Sequence, residues 1–445
     1  MPAVADVALH FFLQMGLILA AYRLLHPVFR RLGQSQVVTM MITGFLLGPS
    51  LFGSLAPALQ HWLFPTKISI GGVSVTHPSV MVLYVVGQLG LVCYMFLVGC
   101  AFNLKLFSRH AHKAVGTSAA GILVPLVLGG FTGWLLLRSG GYFLGHLHVW
   151  QAALFVGSAV SISAFPMLAW IIVDSKLEHT RLGTMALACA AADDAVSWIL
   201  LAAVVSSVKG SAWTVVEALG GGVIFLVFMC TVGRRLLAEL GRRVDRQMEQ
   251  GETLPVGALI TTLIVMLVAA WFTDMVGVYS VFGAFIAGIS MPRGRLVELL
   301  RERLEPATAY LLLPAFFVYS GLNTKLSLFV SPSTLLMLLL VVAVAFVGKG
   351  VAVGLTARLQ GMDRHEANSL GALMNARGLM ELILLNVGLN AGIVSIRLYS
   401  VLAVMAIVTT VAASPLHRYF DRRRQLAQAD ESALPSVRQQ SEAIA

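Results

Sequence analysis

Apolar positions in this sequence come in long uninterrupted runs, each bounded by charges, Gly or Pro, and the runs recur from Ala5 to Pro415. A run of about 17 to 25 apolar residues is the length a helix needs to cross the hydrocarbon core of a bilayer. The pattern predicts thirteen such helices, over residues 5–25, 36–53, 80–103, 113–137, 150–173, 183–207, 212–236, 255–275, 277–292, 304–327, 333–357, 367–390 and 396–416. The expected fold class is an all-α polytopic membrane protein, one transmembrane domain over 1–416 followed by a tail at 417–445 too polar and short to fold alone.

Composition supports this reading. The chain is 58% hydrophobic and 12% charged, with a mean hydropathy of +0.84, and holds no polar stretch long enough for a soluble domain. Its net charge of +10 could point to nucleic acid, but the basic residues are scattered through short connectors and form no stripe with interleaved aromatics. They report topology instead. One alternate set of connectors carries 24 of the 31 Lys and Arg, while the opposite set carries one each: Lys67, Arg138, Lys209, Lys325 and Arg397. Cytoplasmic loops retain positive charge, so an odd number of spans places the N-terminus outside and the C-terminus in the cytoplasm. The longest charged connector, 237–253, reads as a solvated surface helix between two halves.

Several classes are excluded. Cys93, Cys100, Cys189 and Cys230 fall in apolar segments without CxxC or Cys/His spacing, so neither disulfide nor zinc is indicated and no cofactor is expected. MPAVADVALHFF has no basic region before its apolar run, and that run is read as a retained span. No Walker loop, zinc helix or nucleophile elbow is present, so the chain is not read as an enzyme. The expected partner is membrane lipid, with no nucleic acid and no appended nucleotide-binding domain.

Candidate chemistry lies in the few charges inside the runs. Each costs about 2.5–3.5 kcal/mol at mid-bilayer and needs a partner, a water-filled cavity or a function. They are Asp193 and Asp194 in AAADDAVSW, Lys349 in VVAVAFVGKGVAVG, and Arg377 with Glu381 in MNARGLMEL. Adjacent aspartates on a helix point about 100° apart, so they need separate partners. If one pairs with Lys349, the other is left to take a proton or a cation. A purely structural Asp–Lys cluster holding two helices together is the alternative. Gly348 and Gly350 flank Lys349 and permit close helix approach. Arg377 and Glu381, at i and i+4, would neutralise one another on a continuous helix, so a structural or modulatory pair is expected there.

Two runs carry breaks. Ser161 and Ser163 precede Pro166, which cannot donate a backbone hydrogen bond and disfavours helix at Phe165. Asn375 and Gly378 bracket a second interruption. A packing kink would explain either alone. Two of them, one before the aspartates and one after Lys349, suggest broken helices lining a mid-membrane ion site.

With these residues in view, the segment 158–201, containing SISAFP and AAADDAVSW, resembles the central signature of the monovalent cation:proton antiporter-2 family, and so does the rest of the chain in order. LLGPSLFG (46–53), VYSVFGAFIAGISMP (278–292), LLPAFFVYSGLNT (312–324) and MNARGLMELILLNVGLNAGIVS (374–395) match its other blocks. The resemblance implies an Na+/H+ antiporter-like fold of two inverted repeats with crossed, broken helices. It implies a core at about 113–207 and 333–416, a dimerisation or scaffold part at about 5–103 and 212–327, a homodimer, and a bacterial plasma (inner) membrane location. It further implies Asp194 as the ion-binding carboxylate, also the ligand of the monovalent cation, and Asp193 as the acid paired with Lys349. Ser161, Ser163, Pro166 and Asn375 would line the helix crossing. The paired acids with an intramembrane lysine resemble the electrogenic branch. The chain departs from many relatives at Cys100–Phe102, where an acid is common, and at Tyr279, where a histidine is common.

The expected activity is secondary antiport of protons against Na+ or K+. Burial favours a carboxylate's protonated form, whereas a lysine or bound cation favours its charged form, so proton and cation compete for one group. A cation channel, a non-transporting sensor or a sodium-coupled symporter on the same fold are the alternatives.

Overall fold

The computed structural model describes residues 4–49, 51–70, 73–101, 104–145, 147–177, 180–209, 212–249 and 255–442. Its helices run in the order α1 (Val4–Arg31), α2 (Gln36–Leu47), α3 (Phe52–Leu55), α4 (Pro57–Leu63), α5 (Pro78–Ala101), α6 (Leu104–Ser139), α7 (Val149–Ser161), α8 (Phe165–Asp174), α9 (Arg181–Lys209) and α10 (Ala212–Phe228), followed by α11 (Arg234–Glu249), α12 (Val256–Met275), α13 (Ser280–Ile289), α14 (Arg295–Ala307), α15 (Leu313–Leu322), α16 (Pro332–Leu359), α17 (Arg364–Leu373), α18 (Leu379–Asn390) and α19 (Ile396–Glu442). Each of the thirteen expected spans has a helix or a pair of helices as its counterpart. Among the described residues, eight helices are long and apolar enough to cross a membrane by themselves. The shorter ones include the halves of interrupted spans.

One small β element interrupts the helical architecture. Strands β1 (Lys67–Ile70) and β2 (Val73–Thr76) pair antiparallel, Lys67 opposite Thr76, in the connector before α5. It was not anticipated, although KISI and VSVT alternate apolar and polar residues about a Gly-Gly pair, which is a hairpin signal.

Two three-part units dominate one side of the fold. Each consists of a long helix, an interrupted helix and a long helix: α6, α7/α8, α9 and α16, α17/α18, α19. The two packs are joined through α6 on α16. Glycine permits the closest approaches: a Cβ on Gly371 would stand 2.3 Å from the Gly350 carbonyl, and one on Gly157 would stand 2.6 Å from the Leu126 carbonyl. At one end the connectors of the two units pair, Phe143 bridging Val394, and Arg397 closes the corner over the Tyr142 ring with hydrogen bonds to Thr334. On the other side α5 packs on α13 and α15, and α15 on α2.

Two expectations are revised. The first interruption covers Ile162–Ala164, and helix resumes at Phe165 with Pro166 already inside the first turn. A proline is tolerated there because first-turn N–H groups have no intrahelical acceptor. The tail, expected to lack order, continues α19 as helix to Glu442. Its Arg, Gln, Leu and Ala content favours helix, and Arg424 reaches back to Glu366 on α17 at 2.8 Å. The connector 237–253 is helical through Glu249 as α11; residues 250–254 lie outside the described residues, as does Phe102.

Candidate functional site: a crossing of two interrupted helices

The interruptions in α7/α8 and α17/α18 meet. Ala164 donates its N–H to the Ala376 carbonyl at 3.1 Å, and Ser163 Oγ donates to the Met374 carbonyl at 2.8 Å. Two extended segments thus satisfy part of each other's backbone where an isolated helix break in an apolar environment would leave it orphaned. The free helix ends of the first interruption remain, and each faces a charged side chain.

The carboxyl end of α7 faces two cations. Lys349, fully buried on α16, donates from Nζ to the Ser161 carbonyl and to Asp193 Oδ2, the latter at 2.6 Å. Arg377 donates from Nη1 to the carbonyls of Ala159 (2.8 Å) and Ile162 (3.2 Å), and from Nη2 to those of Val160 and Ala345. The last carbonyls of a helix lack intrahelical donors and carry partial negative charge, so two buried cations are stabilised there. Thr410 on α19 fixes the backbone of Arg377, accepting from its N–H and donating to its carbonyl, both at 2.9 Å.

The two aspartates occupy different environments. Asp193 Oδ1 accepts from Ser118 Oγ on α6 at 2.5 Å and its Oδ2 from Lys349, so both oxygens are committed. Ser197 Oγ also donates to the Asp193 carbonyl. Asp194 is 1% exposed, and neither of its oxygens has a hydrogen-bond partner of normal geometry. The group acting on it favourably is the backbone N–H of Phe165, at the amino end of α8, where a helix presents partial positive charge. Ser158 Oγ and Asn375 Oδ1 are likewise buried oxygens without partners. Asn375 donates from Nδ2 to the Gly371 carbonyl, and Ser161 Oγ donates to the Ser158 carbonyl.

The structure therefore brings Asp193, Lys349, Ser161, Ser163, Asn375 and Arg377 into one crossing. It places Pro166 on α8's first turn and Asp194 opposite that turn. Arg377 and Glu381 do form a buried ion pair, but a long one and not on one helix. Arg377 precedes α18 instead of lying on a continuous helix, and Nη1 stands 3.9 Å from Glu381 Oε2, because the guanidinium is drawn to the carbonyls of α7. Ser118, Ser158 and Thr410 were missed by sequence reasoning; a single hydroxyl in an apolar run carries no local signal of a partner dozens of residues away, as Ser118 and Thr410 have, or of burial without one, as at Ser158.

Interrupted helices crossing at buried acids and an intramembrane lysine define an ion-transporter architecture. The transmembrane sodium/hydrogen exchanger model matches residues 16–418, and this integral membrane protein belongs to that family, which comprises transporters and not enzymes. The chain is 37% identical over 404 residues to the Na(+)/H(+) antiporter NhaS4 of Synechocystis, covering 90% of this chain and 94% of that protein. It is 33% identical to Cation/H(+) antiporter 17 of Arabidopsis thaliana and 31% to K(+)/H(+) antiporter 1 of Saccharomyces cerevisiae, covering 91% of this chain in each case. The chain spans about half of those two longer proteins, 47% and 46%. Two structures of the sodium proton antiporter MjNhaP1 from Methanocaldococcus jannaschii share the fold. One gives a TM-score of 0.59 at 14% identity, covering 92% of this chain and 95% of that one; the other gives 0.62 at 15%, covering 95% and 97%.

Proposed function

We propose that this protein exchanges protons for a monovalent cation, Na+ or K+, across a bacterial plasma membrane, with Asp194 as the group both ions share. The observation that carries the proposal is the unequal treatment of adjacent acids. Asp193 is saturated by Ser118 and Lys349, whereas Asp194 is buried with neither oxygen in a hydrogen bond of normal geometry and only the Phe165 N–H acting on it. An unpartnered carboxylate in a membrane protein is costly. A proton removes that cost by neutralising it, and a cation removes it by pairing. Asp194 thus holds one or the other.

The unpartnered oxygens of Ser158 and Asn375 supply neutral ligands of the kind that hard cations take. The helix end at Phe165 favours the charged carboxylate while a cation is exchanged for a proton. Relatives named as Na+/H+, K+/H+ and cation/H+ antiporters support the same assignment. In this reading the segments 113–207 and 333–416 carry the ion past the scaffold of 5–103 and 212–327. The protein works as a homodimer, with its N-terminus outside and C-terminus in the cytoplasm, and exchange is electrogenic.

The test is flux in proteoliposomes. Asp194→Asn should abolish cation-dependent proton movement while the purified protein remains folded. Undiminished exchange by that variant refutes the assignment, and a wild-type reversal potential that follows the cation gradient and ignores the proton gradient points to a channel.

A further inference from the structure

Glu381 is a buried ionisable group to which the reading of Asp194 gives no part, although electrogenic exchange needs a proton beyond the one that Asp194 holds. It lies in the first turn of α18, fully buried, and neither carboxylate oxygen has a hydrogen-bond partner among the described residues. Arg377, its ion-pair partner, gives it no hydrogen bond. Each Nη of Arg377 donates twice to backbone carbonyls, and an Nη carries two protons, so none of these four is left for Glu381, 3.9 Å from Nη1; the fifth, on Nε, meets no acceptor either. The other cation acting on Glu381 is Lys349, itself bound to Asp193. Of the helices packed against α18, α7 has no ionisable side chain, and no side chain of α9 or α19 is hydrogen-bonded to Glu381.

We propose that Glu381 is a second proton-binding carboxylate of the exchanger, separate from Asp194. The proposal rests on the reading of Asp194 given above. The crossing buries three acids, Asp193, Asp194 and Glu381, against two bases, Lys349 and Arg377. Fully ionised, the set has one negative charge in excess, and a cation at Asp194 balances it with Glu381 charged. On the return, protons on both Asp194 and Glu381 leave one positive charge. Two protons then move against each cation, and one net charge crosses per cycle. The amino end of α18 favours the charged form of Glu381, while burial without a hydrogen bond opposes it, which suits a group that must gain and lose a proton.

A null-point measurement in proteoliposomes reads protons per cation, from the cation gradient that just halts flux at a set pH gradient. The wild type should give two, and Glu381→Gln should give one with exchange retained. A wild-type ratio of one, an unchanged ratio in Glu381→Gln, or a folded Glu381→Gln without exchange overturns the proposal. Infrared difference spectra of Asp194→Asn, titrated in water and heavy water, need neither transport nor a change at 381. A protonated-carboxyl band should persist there and vanish in the Asp194→Asn, Glu381→Gln protein; absence of the band from Asp194→Asn overturns the proposal. Flux by Asp194→Asn itself separately reports a failure of the Asp194 reading.

Discussion

Lys349 Nζ lies 2.6 Å from Asp193 Oδ2 across 156 residues of chain, both side chains fully buried. This contact ties α16 to α9, and through the Ser161 carbonyl it ties both to the end of α7. Removing one partner of a buried pair leaves an uncompensated charge, which costs about 3–5 kcal/mol, while removing both is much milder. Asp193→Asn or Lys349→Met should each lower the thermal midpoint in detergent strongly, and the double variant should recover most of the loss. If the pair is only a structural bridge, the double variant should also transport better than either single one.

Ser118 should prove coupled to Asp193. Its hydroxyl is the second donor to that carboxylate, and leaving a buried charged acceptor unsatisfied costs about 1–3 kcal/mol. Ser118→Ala should destabilise the wild type by that amount and the Asp193→Asn protein by clearly less. A double-mutant cycle on thermal or denaturant unfolding measures the difference, and strict additivity would remove Ser118 from the site.

Gly371 should tolerate no side chain. A Cβ there meets the Gly350 carbonyl at 2.3 Å, a backbone atom that cannot rotate away. Gly371→Ala should therefore force α16 and α17 apart, with a cost of about 1–3 kcal/mol and loss of exchange, since Lys349 and Asn375 sit on either side of the contact. Gly16→Ala on α1 has nothing within 4 Å of the added atom and should be neutral or slightly stabilising. Melting curves and flux for the two variants decide the point.

Acid should weaken the start of α17. Asp363 caps that helix, accepting from the N–H groups of His365 (2.8 Å) and Glu366 (3.4 Å). Partial burial acts to raise its carboxyl, but the N–H groups of His365, Glu366 and Arg364, with the His365 charge, outweigh it and hold the group below its ordinary 3.8. Because the folded value is depressed, the contribution is fully present above 3.8 and is lost as pH falls through the folded value. Asp363→Ala should cost about 1 kcal/mol at neutral pH, and the gap from wild type should close in acid. Thermal midpoints measured down to about pH 3 check this.

Much of the architecture is legible in the sequence. Spans as long as Pro78–Ala101 or Pro332–Leu359 announce themselves, because a bilayer demands a length of apolar helix that chance rarely supplies. The two breaks were legible through Pro166 and through Asn375 with Gly378. The exact place of the first was not, since proline rules out some backbone geometries without choosing among the rest. The tail was misjudged because composition reports only how much apolar surface a segment can bury, and the Arg424 contact with Glu366 depends on where α19 ends relative to α17.

The sequence by itself determined the helical class, the order of the spans and the short set of buried charges, because hydropathy, proline and adjacent aspartates act through local chemistry. Only the tertiary structure decided which charge meets which. Asp193 is taken by Ser118 and Lys349, Arg377 is drawn from Glu381 to the carbonyls of α7, and Asp194 is left facing the end of α8. The physical reason is that a buried ion is governed by the few donors within about 3 Å of it, and here those donors come from helices far apart in the chain.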